Sequence, residues 1–260
     1  MSPNPRQLRP KPHILHGVDE PIFDVLPLGV LSNLRHARSE SALLWNAIYS
    51  LARPKLSLRS LLQLQPLWGT AGLEGEEDAL LPYFWGYAVD GQRLKALDDC
   101  LQQIDGAGPR TEVDLFLVGE QNIILVEAKH FSTLGRCSRY AQNRCPEIHP
   151  SAALSESHCR YWDQEVSLFQ RHLAFGAKPE PDDPQPPCFR HYQLARTLLV
   201  GVHLAGALDL NFHLWLMVAR SRWGSLERDW VDFVDRVRDD ALWRKMRVLA
   251  WQGLRTISPE

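Results

Sequence analysis

The chain has 260 residues, enough for one large domain or two small ones, and 45% of them are hydrophobic, with nine Trp to fill a core. Its 29 basic and 31 acidic residues nearly cancel, so no global positive field marks it as a nucleic-acid binder, although a local basic groove stays open. No apolar run reaches the ~18 residues of a membrane span and the N-terminus lacks a signal-peptide core, which points to a soluble, cytoplasmic protein whose cysteines are thiols or metal ligands.

Residues 1–30 carry Pro3, Pro5, Pro10, Pro12, Pro21 and Pro27, a density that predicts an extended arm, with one domain over 31–260. From Ser39 the spacing of Leu43, Leu44, Ala47, Ile48 and Leu51 predicts a helix capped by Ser39 and stopped at Arg53-Pro54. Glu40, in its first turn, complements the helix dipole. A short helix is expected over 58–64. The acidic run 73–78, which includes Glu77, predicts a solvated helix ending at Pro82. Residues 83–89 (YFWGYAV) are aromatic and read as a strand closed by the Asp90-Gly91 turn. Leu94, Leu97, Leu101 and Ile104 recur at helical spacing.

The stretch 111–129, TEVDLFLVGEQNIILVEAK, is the most informative in the chain. Two apolar runs flank Gly119-Glu120-Gln121-Asn122, which predicts a hairpin. With the turn centred between Glu120 and Gln121, Val118 faces Ile123, Phe116 faces Leu125, Asp114 faces Glu127 and Glu112 faces Lys129. Strand side chains alternate, so Asp114, Glu127 and Lys129 share one face of a sheet that is apolar on both sides. Facing carboxylates repel, and burying them adds cost unless a cation joins them. A frayed hairpin end with solvated charges is the plainer alternative.

At these residues the chain resembles the PD-(D/E)xK nuclease superfamily, in which an acid on one strand precedes Glu-x-Lys on the next, here Asp114 and Glu127-Ala128-Lys129. Val113 stands where the motif's proline would be. The resemblance implies an α/β restriction-endonuclease-like αβββαβ core, a Mg²⁺ (or Mn²⁺) ion on Asp114 and Glu127, and phosphodiester cleavage assisted by Lys129. It also implies a further acid on a preceding helix, for which Glu40 and Glu77 compete, and a glutamine on the second core helix, for which Gln193 stands.

After Lys129, residues 131–188 read as an insertion carrying Cys137, Cys145, Cys159 and Cys188. They could close around Zn²⁺ or an iron–sulfur cluster, but no CxxC pair is present, and independent buried thiols are the ordinary alternative. Arg136, Arg139, Arg144 and Arg160 interleave with Tyr140, Tyr161 and Trp162, a mixture that suits a nucleic-acid backbone or an ordinary surface. A helix is expected over 161–175 and a longer one over 189–208, with Gln193 near its start and a strand over 197–202 as the alternative. Residues 212–218 read as a buried strand, Ser225 as the cap of a helix through Ala241, and 246–251 as a final strand. The expected function is a Mg-dependent nuclease with DNA as partner and a homodimer compatible with it; the alternative is a non-catalytic nucleic-acid- or protein-binding module on the same fold, with a cysteine-held structural metal.

Overall fold

A computed structural model describes residues 13–257 apart from 37, 53–56, 71–72, 74–76, 78, 107–112, 150–157, 164–166, 182 and 184. Six strands form one mixed sheet: β1 (Trp68–Gly69), β2 (Leu81–Phe84), β3 (Leu115–Val118), β4 (Asn122–Lys129), β5 (Asn211–Val218) and β6 (Met246–Ala250). Their spatial order is β1-β6-β5-β4-β3-β2. The expected α/β architecture, a mixed sheet flanked by helices, is what the chain adopts.

The hairpin has the expected register, with Val118 opposite Ile123, Phe116 opposite Leu125 and Leu115 opposite Val126. β2 adds antiparallel to β3, and its place at the sheet edge tolerates Pro82, which has no N–H to donate. β5 runs parallel to β4 over eight residues, and β6 runs parallel to β5. The carboxyl ends of these three strands, at Lys129, Val218 and Ala250, therefore lie along one edge.

Helices cover both faces, so β4 and β5 are almost wholly buried and mostly apolar. On one face α1 (Ile22–Val25), α2 (Leu28–Asn33) and α3 (Glu40–Ala52) pack against Leu115, Leu117, Ile124, Val126, Trp215 and Met217. On the other lie α4 (Leu97–Asp105), α6 (Leu168–His172), α8 (Tyr192–Leu208) and α9 (Arg220–Val234), over Phe116, Ile123, Leu125, Leu214 and Leu216. Shorter helices α5 (Ser138–Ala141), α7 (Pro187–Arg190) and α10 (Asp240–Arg244) complete the described set.

Several sequence expectations change. Residues 13–30 are not an extended arm: Pro21 and Pro27 stand immediately before α1 and α2, where a missing N–H costs nothing. The segment 13–20 is tied to α3, with Trp45 Nε1 donating to the His16 carbonyl and Asn46 Nδ2 to that of His13, both at 2.8 Å. The YFWGYAV strand ends at Phe84 because Trp85 and Gly86 both take positive φ and turn the chain. Leu81 and Pro82 belong to that strand, not to the end of a helix. The 161–175 helix is broken into a 3₁₀ turn (Arg160–Trp162) and α6, which starts at a capping box of Ser167 and Gln170. Ser225 is not a cap: α9 begins five residues earlier, and Ser225 Oγ donates to the Arg222 carbonyl within it.

Two glycines of α8 separate close approach from helix propensity. A Cβ at Gly201 would meet the Phe212 ring at 2.0 Å, whereas one at Gly206 would meet nothing within 4 Å. Gly206→Ala should stabilise by up to ~1 kcal/mol through propensity. Gly201→Ala gains the same term but must push α8 off β5, so a net loss of ~1–3 kcal/mol is expected. Urea midpoints of the two variants check the opposite signs.

Candidate active site

β3 stops pairing at Leu115, and the side chain of Asp114 continues its work: Oδ2 accepts the backbone N–H of Ala128 at 2.9 Å. Alternation along β4 then points Glu127 and Lys129 toward the α8 face, as predicted. Glu127 is 2% exposed and Lys129 7%. Both oxygens of Glu127 are held by α8, Oε2 by Gln193 Nε2 and Oε1 by the Thr197 hydroxyl, each at 2.5 Å. Gln193 and Thr197 are four apart, one above the other on the same helix face. The other end of the Gln193 amide accepts from the Gly135 N–H at 2.7 Å, so its orientation is fixed from two sides. The carbonyl of Lys129 accepts from Ala219 N and from Trp251 Nε1 at 3.2 and 3.1 Å, which locks the end of the strand.

The electrostatics follow from this geometry. Burial, and then the charge of Asp114, push Glu127 up to about 7, against the pull of Lys129 and of the Thr197 hydroxyl. Asp114 is raised as well, by burial first, with Lys129 and the Ala128 N–H opposing and the charge of Glu40 adding to the rise. The charge of Asp114 favours the protonated form of Glu127 while the Glu127 side chain favours the ionised form of Asp114, so the two carboxyls titrate as a pair. Such a pair is suited to a divalent cation. The donors are hard carboxylate oxygens, and each oxygen that accepts one of the bonds above can accept a second contact.

The sequence candidates divide. Asp114, Glu127, Lys129 and Gln193 come together. Glu40 approaches from the other face of the sheet and is committed elsewhere: Oε1 accepts from the consecutive backbone N–H groups of His130, Phe131 and Ser132 at 2.6, 2.6 and 2.8 Å. Its Oε2 accepts from the Ser132 hydroxyl at 2.6 Å. Burial would raise its carboxyl, but the Ser132 hydroxyl and these amides outweigh that and lower it. Glu40 thus anchors the segment that follows Lys129. Glu77 is at the far end of the hairpin, where its carboxylate accepts from Glu120 N, Gln121 N and Asn122 Nδ2 at 2.7, 2.9 and 2.8 Å. It is buried rather than solvated, and it is no rival for the site. Glu112 lies outside the described residues. Thr197 was missed, although its position one turn after Gln193 is a usable signal.

The expected nucleic-acid mixture divides: Arg136, Arg139 and Arg144 are exposed, whereas Arg160, Tyr161 and Trp162 are tied into the fold. Arg160 donates to the carbonyls of Gln102 and Gln103 at the end of α4. Tyr161 and Trp162 are buried against Phe169. The four cysteines of 131–188 all line one cavity beside α8. Among the described residues, no group of three or more His, Cys, Asp or Glu side chains is arranged to hold a single metal ion. No described helix is long and apolar enough to cross a membrane.

No protein-family model, curated protein or solved structure matches the chain. The nuclease resemblance therefore rests on Asp114, Glu127 and Lys129 and on their surroundings.

Proposed function

We propose that this chain is a metal-dependent nuclease of restriction-endonuclease-like fold that hydrolyses phosphodiester bonds in DNA. One observation carries the reading: two carboxyls and a lysine meet at the carboxyl edge of a covered sheet, where the buried charges cost stability and packing has no need of them. The element order supports it, since α3, the antiparallel strands β2, β3 and β4, then α8 and a parallel β5, follow the αβββαβ order that the motif implies.

Asp114 and Glu127 would hold Mg²⁺, which commonly takes one or two carboxylates and shares its remaining positions with waters and substrate phosphate. When bound, the ion supplies positive charge that polarises the scissile phosphate and acidifies a water. The remaining work falls to the chain's own groups. The Lys129 ammonium is a fixed cation that orients the attacking water and offsets the charge developing on the phosphate oxygens. Gln193 and Thr197 keep the Glu127 carboxylate aimed at the site. Glu40, by holding the amides of residues 130–132, positions the chain immediately after Lys129.

Incubation with supercoiled plasmid and linear duplex, in Mg²⁺, Mn²⁺ or EDTA, tests the reading. Cleavage with either metal and none in EDTA is expected. Wild-type protein that is inert on duplex DNA, single-stranded DNA and RNA in both metals would sink it.

A further inference from the structure

Cys137, Cys145, Cys159 and Cys188 are separated by 8, 14 and 29 positions, with no local pairing motif. The fold nevertheless brings them to one place. Cys137 immediately precedes α5, Cys159 immediately precedes the 3₁₀ turn, and Cys188 lies within α7. All four line a single cavity of about 720 Å³, and all are free thiols. The fifth cysteine, Cys100, is packed in the core on α4 and does not line it. Burial first, and then the nearby Cys159, Cys137 and Cys145, raise the Cys188 thiol above its ordinary range.

The surroundings hold the four in place. The Cys137 N–H donates to the Phe189 carbonyl at 3.0 Å, tying the first cysteine to the last. The Cys159 N–H donates to Glu147 Oε1 at 2.6 Å, and Glu147 is in turn paired with Lys178 at 2.7 Å. The buried indole N–H of Trp162 has no hydrogen-bond partner among the described residues and lies beside Cys188, whose thiol it lowers against the pull of burial. N–H groups aimed at sulfur stabilise thiolates that hold iron. Lining a cavity with four thiols, by contrast, gives no packing advantage over larger apolar side chains that would fill it.

A single zinc ion requires all four sulfurs within ~2.3 Å of one point. The described residues do not close in on a point in that way, yet the thiols share one cavity. Four thiolates set around a larger body are the ligand set of an iron–sulfur cluster. We propose that Cys137, Cys145, Cys159 and Cys188 hold an iron–sulfur cluster that pins the 131–188 segment onto the start of α8. Gly135 and Gln193 flank the two ends of this pin, so the cluster also steadies the amide that holds Glu127. The cluster assignment does not depend on the nuclease reading.

The test is iron and acid-labile sulfide content, with the visible absorption spectrum, of the full chain purified anaerobically and reconstituted with ferric iron, sulfide and a thiol reductant. Wild type and Cys100→Ser should carry iron and sulfide in equal amounts and a visible band that bleaches on reduction. Cys159→Ser and Cys188→Ser should lose most of both. Wild type that takes up neither, or that binds zinc without sulfide, overturns the proposal, whatever the folding of the variants. So does a Cys188→Ser variant with the iron content of Cys100→Ser. Lys129→Ala should leave the iron content unchanged, which separates failure here from failure of the nuclease reading.

Discussion

Lys129→Met is expected to slow DNA cleavage by ~10²–10³-fold at saturating Mg²⁺, the usual loss when one preorganised stabiliser of developing charge is removed. Methionine preserves the buried stem of the side chain, so the loss reports charge and not packing. Lys129→Ala should be at least as inactive, and less stable in the metal-free state. There it leaves a hole and removes a charge that pulls both Asp114 and Glu127 toward ionisation. Single-turnover rates on a labelled duplex give the comparison. Cleavage by Lys129→Met at the wild-type rate would mean that the lysine is structural and that the activity arises elsewhere or from a contaminant.

The second large effect is on stability. Glu127 ionises near 4.5 when unfolded and near 7 in the folded chain, raised by burial and by Asp114. Between those values the folded state holds a proton that the unfolded state has released, so raising the pH favours unfolding. The stability lost across this window is ~3 kcal/mol, at 1.36 kcal/mol per unit. Glu127→Gln removes the titration and should become more stable than wild type by that amount as pH rises from about 4.5 to 7 in EDTA. Asp114→Asn should show part of the same gain, because its side-chain oxygen can still accept the Ala128 N–H. The difference between proteins must be measured rather than wild type alone. Burial, with Lys245 and Arg247, lowers His213 to about 3, and a lowered histidine adds stability as pH rises over part of the same range. Adding Mg²⁺ should stabilise wild type most above pH 7, where the pair is ionised, and should not stabilise Glu127→Gln to the same extent. Urea curves that leave the difference between wild type and Glu127→Gln flat with pH would show that Glu127 is not held protonated.

The hairpin was legible because a period of two fixes its register and its faces together, which placed Asp114, Glu127 and Lys129 before any tertiary contact was known. Gln193 followed from the helical spacing over 189–208. The misses have physical causes. Glu40 stands out in the sequence, but its role depends on where the chain returns after Lys129, and no local pattern encodes that. Trp85 takes a left-handed φ inside a β-prone run, a choice made by the core around it. Prolines 21 and 27 look like barriers in the sequence alone, yet they stand at helix starts. The Ser167-Leu168-Phe169-Gln170 capping signature was present and simply overshadowed by the apolar pattern around it. β1 is two residues long and exists only because β6 offers Val248 and Arg247 as partners.

The hairpin is fastened at both ends by glutamates that collect N–H groups, Glu77 at the turn and Glu40 just past Lys129. This leaves the stretch between them no slack. A single residue inserted between Val118 and Glu127 would flip Glu127 to the α3 face, away from Gln193 and Thr197, or else tear the turn from Glu77. Any homologue that keeps this site should therefore align over 114–132 without a gap, while its length varies in loops such as 176–187. A search for distant relatives is best anchored on that ungapped block together with a Gln-x₃-Thr helix downstream.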